Sequence, residues 1–429
     1  MSQASLRTGA WYGDRAVNLV FPDDWEVNVL WPRTPQPLSD SDMVAALEHP
    51  TNQVPLRKLC VGKSRPVLVV DDLNRPTPVA AVMPIVLEQF KQAGVPLNKI
   101  TVVLASGMHA PPSRDAIVKK LGSEAAAACR VVIHDYNRRL KTLGQTRFGT
   151  PVTVNEEVAQ SDFVVGIGGL YPNHTAGFGG GSKLVLGTLG CKSIAHLHAH
   201  HEVGWGSSPD SDLRRDLDEI ASLVQMRTMI TLHVDADRRV VHMHCGDHFT
   251  YYKEAVAFCR TAYSVQPPEG AEVVVSNTYP NDLSLTFARM KGMAPLHAWA
   301  PPHATRIAVA ACTEGIGRHN LFPLANFPDP VWFRAVAQRA SVMRFADVGK
   351  KLARRIARPV RPQTAERRQR PPIWLYCTGN AEKLLRCSLP DIRITCSWEC
   401  ILQSIAGEQG DKKRLKVFVY PCAPLQFLA

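Results

Sequence analysis

Residues 66–94 read PVLVVDDLNRPTPVAAVMPIVLEQFKQAG, and the order of residue types in this stretch decides the fold. The opening PVLVV is a continuous apolar, β-branched run, the pattern of a strand buried on both faces. Two aspartates, an arginine and two prolines end it, and apolar residues at helical spacing follow. A buried strand leading into an amphipathic helix is half of a β–α–β unit, which implies a parallel sheet covered by helices. The same kind of run returns at KITVVLAS (99–106), RVVIHD (130–135) and DFVVGIGG (162–169). YSVQPPEGAE (263–272) reads as a linker, and the pattern restarts with EVVVSN (272–277), RIAVAAC (306–312), IWLYC (373–377) and KVFVYP (416–421). The expectation is two α/β domains with mainly parallel sheets, residues 1–265 and 266–429, with the active site in the cleft between them.

Size and composition agree with that division. A chain of 429 residues exceeds one ordinary core. Hydrophobic content of 45% and charged content of 21% describe a soluble globular protein. No apolar run approaches the roughly 20 residues of a membrane helix. The N-terminus lacks the apolar core of a secretory signal. Eleven cysteines are scattered without a CxxC pair, which reads as reduced thiols in the cytoplasm. The net charge of +12 is local, because nine Lys/Arg against Glu366 between Lys350 and Arg370 supply +8 of it. That segment has no interleaved aromatics, so a solvated helix end and linker is a better reading than a nucleic-acid arm.

Three strand ends carry the unusual residues: DDLNRPTP (71–78), SGMHAPPS (106–113) and NHTAGFGGGSKLVLGTLGCKSIAHLHAHH (173–201). Loops at the carboxyl ends of parallel strands are where ligands bind. GIGGLYP fails as a dinucleotide fingerprint at Tyr171, and GFGGGSK fails as a triphosphate loop because Ser182 separates the glycines from Lys183. A glycine run that ends in a lysine still suits close approach of a ligand to the backbone. In the histidine cluster, His196 and His200 share one helical face and His198 and His201 another. One metal ligand is expected there, and the residue type admits nickel, copper, zinc or iron. His109 and His174, each alone in a strand-end loop, suit an acid/base pair near neutral pH. Asp71, Asp72 and Arg75 read as a turn with an ion pair or as a phosphate cradle.

Taken in order, DDLNRPTP, SGMH, HTAGFGGGSK, SIAHLH and YPNDLSLTFARMKGM (279–293) resemble the motifs of the lactate racemase family, the nickel-pincer-nucleotide enzymes. The resemblance implies that residues 1–265 bind the cofactor and carry the catalytic groups. It implies a pyridinium mononucleotide with two sulfur-bearing arms, one joined to Lys183 through a thioamide. Nickel is then held by two sulfurs, a ring carbon and His198. His109 and His174 are the implied acid/base pair, Asp72 and Arg75 the contacts to the cofactor's ribose and phosphate, and Lys291 a substrate-site residue. The implied reaction racemises or epimerises a 2-hydroxy acid. A hydride leaves C2 for the cofactor as one histidine takes the hydroxyl proton, and both return on the other face. The implied partners are the small-molecule substrate and the proteins that make the cofactor, with no membrane and no nucleic acid.

The chain departs from the family's pattern at Ala110, where an arginine is usual, and at Phe287–Ala288, where a tyrosine–glutamine pair is usual. Leu186–Gly187 replaces a Pro-Gly, and the two spacings around Lys183 are each one residue short. Lost polar groups predict a substrate with a larger or more apolar side chain than lactate. Two other readings remain: a metallohydrolase using His196 and His200 with Glu202 or His174 as third ligand, and a non-catalytic metal- or nucleotide-binding homologue.

Overall fold

The computed structural model describes residues 2–173, 176–201, 209–317, 372–379, 381–385, 391–409 and 414–428. The basic segment 350–370 lies outside them. The packing divides the chain into two units. One holds the described residues of 34–262, the other those of 1–33 and from 263 onward.

The first unit is built on six strands in the spatial order Val240–Asp247, Thr228–Val234, Phe163–Gly169, Pro66–Asp71, Thr101–Ala105 and Arg130–Ile133. All neighbours are parallel except the edge strand Val240–Asp247, which is antiparallel. Every residue of Pro66–Asp71 and Thr101–Ala105 is buried, as their unbroken apolar runs predict. The helix Val79–Gln92 follows and buries Val79, Val82, Met83, Val86, Leu87 and Phe90, a spacing of three and four, into the core that holds Leu68, Val70, Val102 and Leu104. From Pro66–Asp71 the chain first adds two strands on one side. It then returns to place Phe163–Gly169 on the other. The loops leaving these two central neighbours run to opposite sides, which opens a crevice at the carboxyl end of the sheet. Both loops carry motifs singled out above.

The second unit is also a six-stranded sheet, in the order Ile392–Thr395, Ile373–Cys377, Thr305–Ala310, Val273–Asn277, Lys416–Tyr420 and Glu26–Val29, with every pair parallel. Its last strand corrects the expected division. Residues 1–33 pack here, with Glu26–Val29 in register against Lys416–Val419, and not with the first domain. Leu6, Leu19, Phe21 and Trp25 bury themselves in one core with Val275, Ile307 and Val417. A four-residue strand has no local feature that names its partner; distant apolar contacts select it. The linker YSVQPPEGAE opens with Ser264–Val265 paired to Phe427–Leu428.

No described helix is long and apolar enough to cross a membrane. The ten described cysteines are free thiols.

Candidate active site

The turn after Pro66–Asp71 presents two buried carboxylates that have different work. Asp72 is 3% exposed, and its Oδ2 lies 2.6 Å from Nδ1 of His109. Asn74 adds two donors, from its backbone N–H to Oδ1 at 3.2 Å and from Nδ2 to Oδ2 at 2.7 Å. Burial pushes the Asp72 carboxyl up, but His109, Arg75 and Asn74 together outweigh it and hold it at about 2. An ionised carboxylate only accepts, so His109 donates through Nδ1 and its lone pair is on Nε2. His109 reaches Asp72 because its own loop leaves the adjacent strand and turns at once, with His109 N–H donating to Ser106 O at 3.0 Å.

Asp71 is a brace. Its Oδ1 lies 2.6 Å from Nζ of Lys120, and its Oδ2 accepts from the Thr77 hydroxyl at 2.7 Å and from Gly169 N–H at 3.2 Å. Lys120 is wholly buried and also donates to Thr77 O at 2.8 Å. It stands on the helix Arg114–Leu121, which follows the His109 loop. One buried pair thus ties together the ends of both central strands and the loop that carries Asp72 and Arg75. Sequence reasoning missed Lys120, whose place beside Lys119 on a polar-looking helix reads as surface.

Lys183 follows the glycine run, within the short helical segment Gly181–Thr188. Burial, then the charges of Arg75 and Arg214, push its amine down to about 7. Among the described residues no carboxylate offsets that shift. Arg75 acts on Asp72 and on Lys183 alike, so the Asp72–His109 couple and Lys183 share one electrostatic neighbourhood. Two glycines are required sterically. Gly181 has φ +54°, and a Cβ there would lie 2.7 Å from the Tyr252 ring. A Cβ on Gly187 would lie 2.4 Å from Ala105 O, so the half of the family's Pro-Gly that this chain keeps is the half that packing demands.

The histidine cluster is helical, Cys191–His200. His198 Nδ1 is 2.8 Å from Ile194 O one turn back, so it donates there and Nε2 carries the lone pair a metal needs. His200 makes the same contact, its Nδ1 lying 3.0 Å from His196 O, but on the exposed side of the helix; His196 and His201 are committed to side chains. His196 Nδ1 is 2.8 Å from the Thr150 hydroxyl, which donates at 2.6 Å to Asp216. His201 Nε2 is 2.8 Å from the same carboxylate. His196 and His200 stack, with ring centroids 3.9 Å apart and planes 17° from parallel. In-plane lone pairs of stacked rings run side by side, a poor start for two ligands of one metal. Among the described residues no three His, Cys, Asp or Glu side chains gather to hold a metal. His174 and Glu202 lie outside the described residues.

Lys291 belongs to the second unit. It is buried in a π-helical turn, Ala288–Met293, packed on the end of Val273–Asn277, where Ser276 donates to Gly292 O at 2.8 Å. Phe287 and Ala288 are buried beside it in sequence. Such turns recur at functional sites.

Residues 12–209 match the family model of the lactate racemase N-terminal domain. The chain is 26% identical over 311 residues to the lactate racemase of Lactiplantibacillus plantarum, covering 69% of this chain and 72% of that one. It is 23% identical over 297 residues to the lactate racemase of Thermoanaerobacterium thermosaccharolyticum, covering 66% and 69%. The solved lactate racemase apoprotein of T. thermosaccharolyticum superposes with a TM-score of 0.71 at 18% identity, over 99% of this chain and 100% of that one. A crystal structure of a Thermotoga maritima protein does so with 0.62 at 15%, over 92% and 100%. At those identities the superpositions establish the fold, and the sequence matches show that residues 12–209 resemble the N-terminal domain of lactate racemases.

Proposed function

We propose that this chain, a racemase-type isomerase by its homologues, inverts C2 of a 2-hydroxy acid with a nickel-pincer nucleotide tethered to Lys183. The residues fit such a group. Lys183 offers an amine held near 7 at the end of a glycine cradle, and His198 offers Nε2 with its other nitrogen engaged. When bound, the group supplies the centre that takes up the C2 hydride and gives it back. The proton work falls to this chain. His109 takes the substrate hydroxyl proton on Nε2, while Asp72, ionised at about 2, fixes the ring and stabilises the imidazolium. His174 gives a proton to the ketone oxygen when the hydride returns on the opposite face of the flat 2-keto acid, since inversion needs a proton-transfer group on each side. Arg75 and Lys291 favour the anionic parts of cofactor and substrate. The host's cofactor-making proteins are required partners.

The observation that supports this reading is that the His109 loop and the Lys183 segment are joined, Gly107 N–H donating to Gly187 O at 2.9 Å, with Arg75 lowering both Asp72 and Lys183. The test is intact-mass and metal analysis of protein made with the pincer-making enzymes, followed by a screen of 2-hydroxy acids. Expected are an adduct mapped to Lys183, stoichiometric nickel that His198→Ala loses and His196→Ala keeps, and racemisation favouring side chains larger than methyl. An unmodified Lys183 under those conditions sinks the proposal.

A further inference from the structure

The glycine run is shaped by a side chain that plays no part in the reading above. Arg214 stands in the first turn of the helix Asp212–Leu223, whose N-cap Ser211 hydroxyl accepts from Arg214 N–H at 3.2 Å. Its guanidinium is inside the protein, the residue being 4% exposed. Nη1 donates to Gly180 O at 2.9 Å and to the Ser182 hydroxyl at 3.0 Å. Nη2 donates to Phe178 O at 3.0 Å and to the Tyr252 hydroxyl. The guanidinium lies over the Tyr252 ring, 4.1 Å from its centroid. Tyr252 in turn donates to Gly179 O at 3.2 Å, and its ring fills the place a Gly181 side chain would need. Ser182 donates to Asp218, one turn along the Arg214 helix. The carbonyls of Phe178, Gly179 and Gly180 and the hydroxyl of Ser182 are therefore all gripped by one arginine–tyrosine pair and one carboxylate. Lys183 is the next residue.

We propose that Arg214 is a positioning residue for Lys183: with Tyr252 it sets the path of Phe178–Ser182, and it keeps a buried positive charge beside the amine. The inference rests on the proposed function only in naming what Lys183 captures. A neutral amine can attack an acyl carbon, forming the N–C bond as the leaving group departs and the nitrogen loses its proton; an ammonium cannot. Burial, Arg75 and Arg214 each favour the neutral form of Lys183. The carboxylates around the loop do not oppose them: Asp71 is paired with Lys120, Asp72 with His109 and Asp216 with His201, while Asp218 accepts from Ser182. A hydrogen-bonding fork is used because one ammonium, with three N–H bonds on a single atom, cannot serve four acceptors spread over two nitrogens.

The first measurement needs no cofactor. Apo protein is treated with limiting N-hydroxysuccinimidyl acetate from pH 6 to 9, which moves an acetyl group to the amine and releases N-hydroxysuccinimide. Acetylation of Lys183 is followed by peptide mass spectrometry, with the exposed Lys141 as internal reference. The wild-type profile is expected to have its midpoint near 7. Arg214→Met should move it upward, and a rise of about one pH unit cuts the neutral fraction at pH 7 roughly fivefold. Arg214→Lys should restore most of the midpoint but not the adduct yield on co-expression with the pincer-making enzymes, since it returns charge without the fork. Tyr252→Phe, which keeps the ring and removes its hydroxyl, covers the case in which Arg214→Met does not fold: it should lower the adduct yield and leave the midpoint in place. An unchanged Lys183 profile in Arg214→Met, or unchanged adduct yields in Arg214→Lys and Tyr252→Phe, overturns the inference. A shifted profile in Arg214→Met with no adduct even on wild-type protein overturns the proposed function instead and leaves Arg214's effect on the amine standing.

Discussion

Two aspartates, one in each unit, sit just past the carboxyl end of a central parallel strand and are almost equally buried: Asp72 is 3% exposed and Asp282 0%. Their electrostatics are opposite. Asp72 faces a histidine and an arginine and is held at about 2. Asp282 faces backbone amides, accepting from Gly9 N–H at 2.7 Å, Ala10 N–H at 3.2 Å and Ala311 N–H at 3.3 Å, and burial pushes it up to about 6. Burial alone therefore does not mark a reactive carboxylate. Amide donors make Asp282 a staple that ties the N-terminal hairpin to its sheet, whereas a cation and an imidazole keep Asp72 charged.

The largest expected effect removes the chemistry that the charged site serves. Lys183→Ala should carry no covalent adduct by intact mass, and racemisation should fall to the uncatalysed background. Activity that survives would detach Lys183 from the site around Asp72. Next, Asp72→Asn removes the charge that orders His109 and should lower kcat by about 10²–10⁴. The adduct level decides what Asp72 is for. Retained adduct with lost kcat means an orienting carboxylate for His109, as its 2.6 Å contact favours. Lost adduct means the cofactor contact that the family resemblance implies.

The comparison also shows what a sequence reveals. The buried strands were legible because an unbroken run such as VLVV has few other uses, and His109 and Lys183 stood out because an imidazole or amine in a strand-end loop has no packing reason to be there. Arg214 and Lys120 were not legible. Each stands on a helix with other charged residues, RRD and VKK, and periodicity cannot say which charge turns inward to grip a loop far away in sequence. The helical spacing of the histidines holds for His196 and His200, but His201 lies past the helix end in extended backbone, and spacing could not foresee that His196 and His201 are both tied, through Thr150 and Asp216, into one buried network. Nor did anything in residues 1–33 announce that Glu26–Val29 would close the other sheet, or that Asp282 would be waiting for Gly9 and Ala10.

The smallest effect tests the two aspartates directly, through the pH dependence of stability. Asp282 rises on folding from 3.8 to about 6. Its contribution to stability is complete below about 4 and is lost as pH rises through 6, where the folded chain must give up a proton it prefers to keep. Asp72 falls from 3.8 to about 2, so its contribution is present above about 4 and is lost as pH falls through 2. Relative to Asp282→Asn, which cannot titrate, the wild type should lose stability between pH 4 and 7, by up to on the order of 3 kcal/mol. Relative to Asp72→Asn it should gain stability between pH 2 and 4. Urea unfolding followed by tryptophan fluorescence suits the first measurement, because all six tryptophans among the described residues lie outside residues 34–262 and so report on the unit that holds Asp282. Circular dichroism suits the second. Opposite slopes would establish that partner chemistry, at matched burial, decides which strand-end carboxylate is charged. A flat difference for Asp282→Asn would mean that three backbone amides can hold a buried carboxylate ionised as well as a histidine and an arginine do.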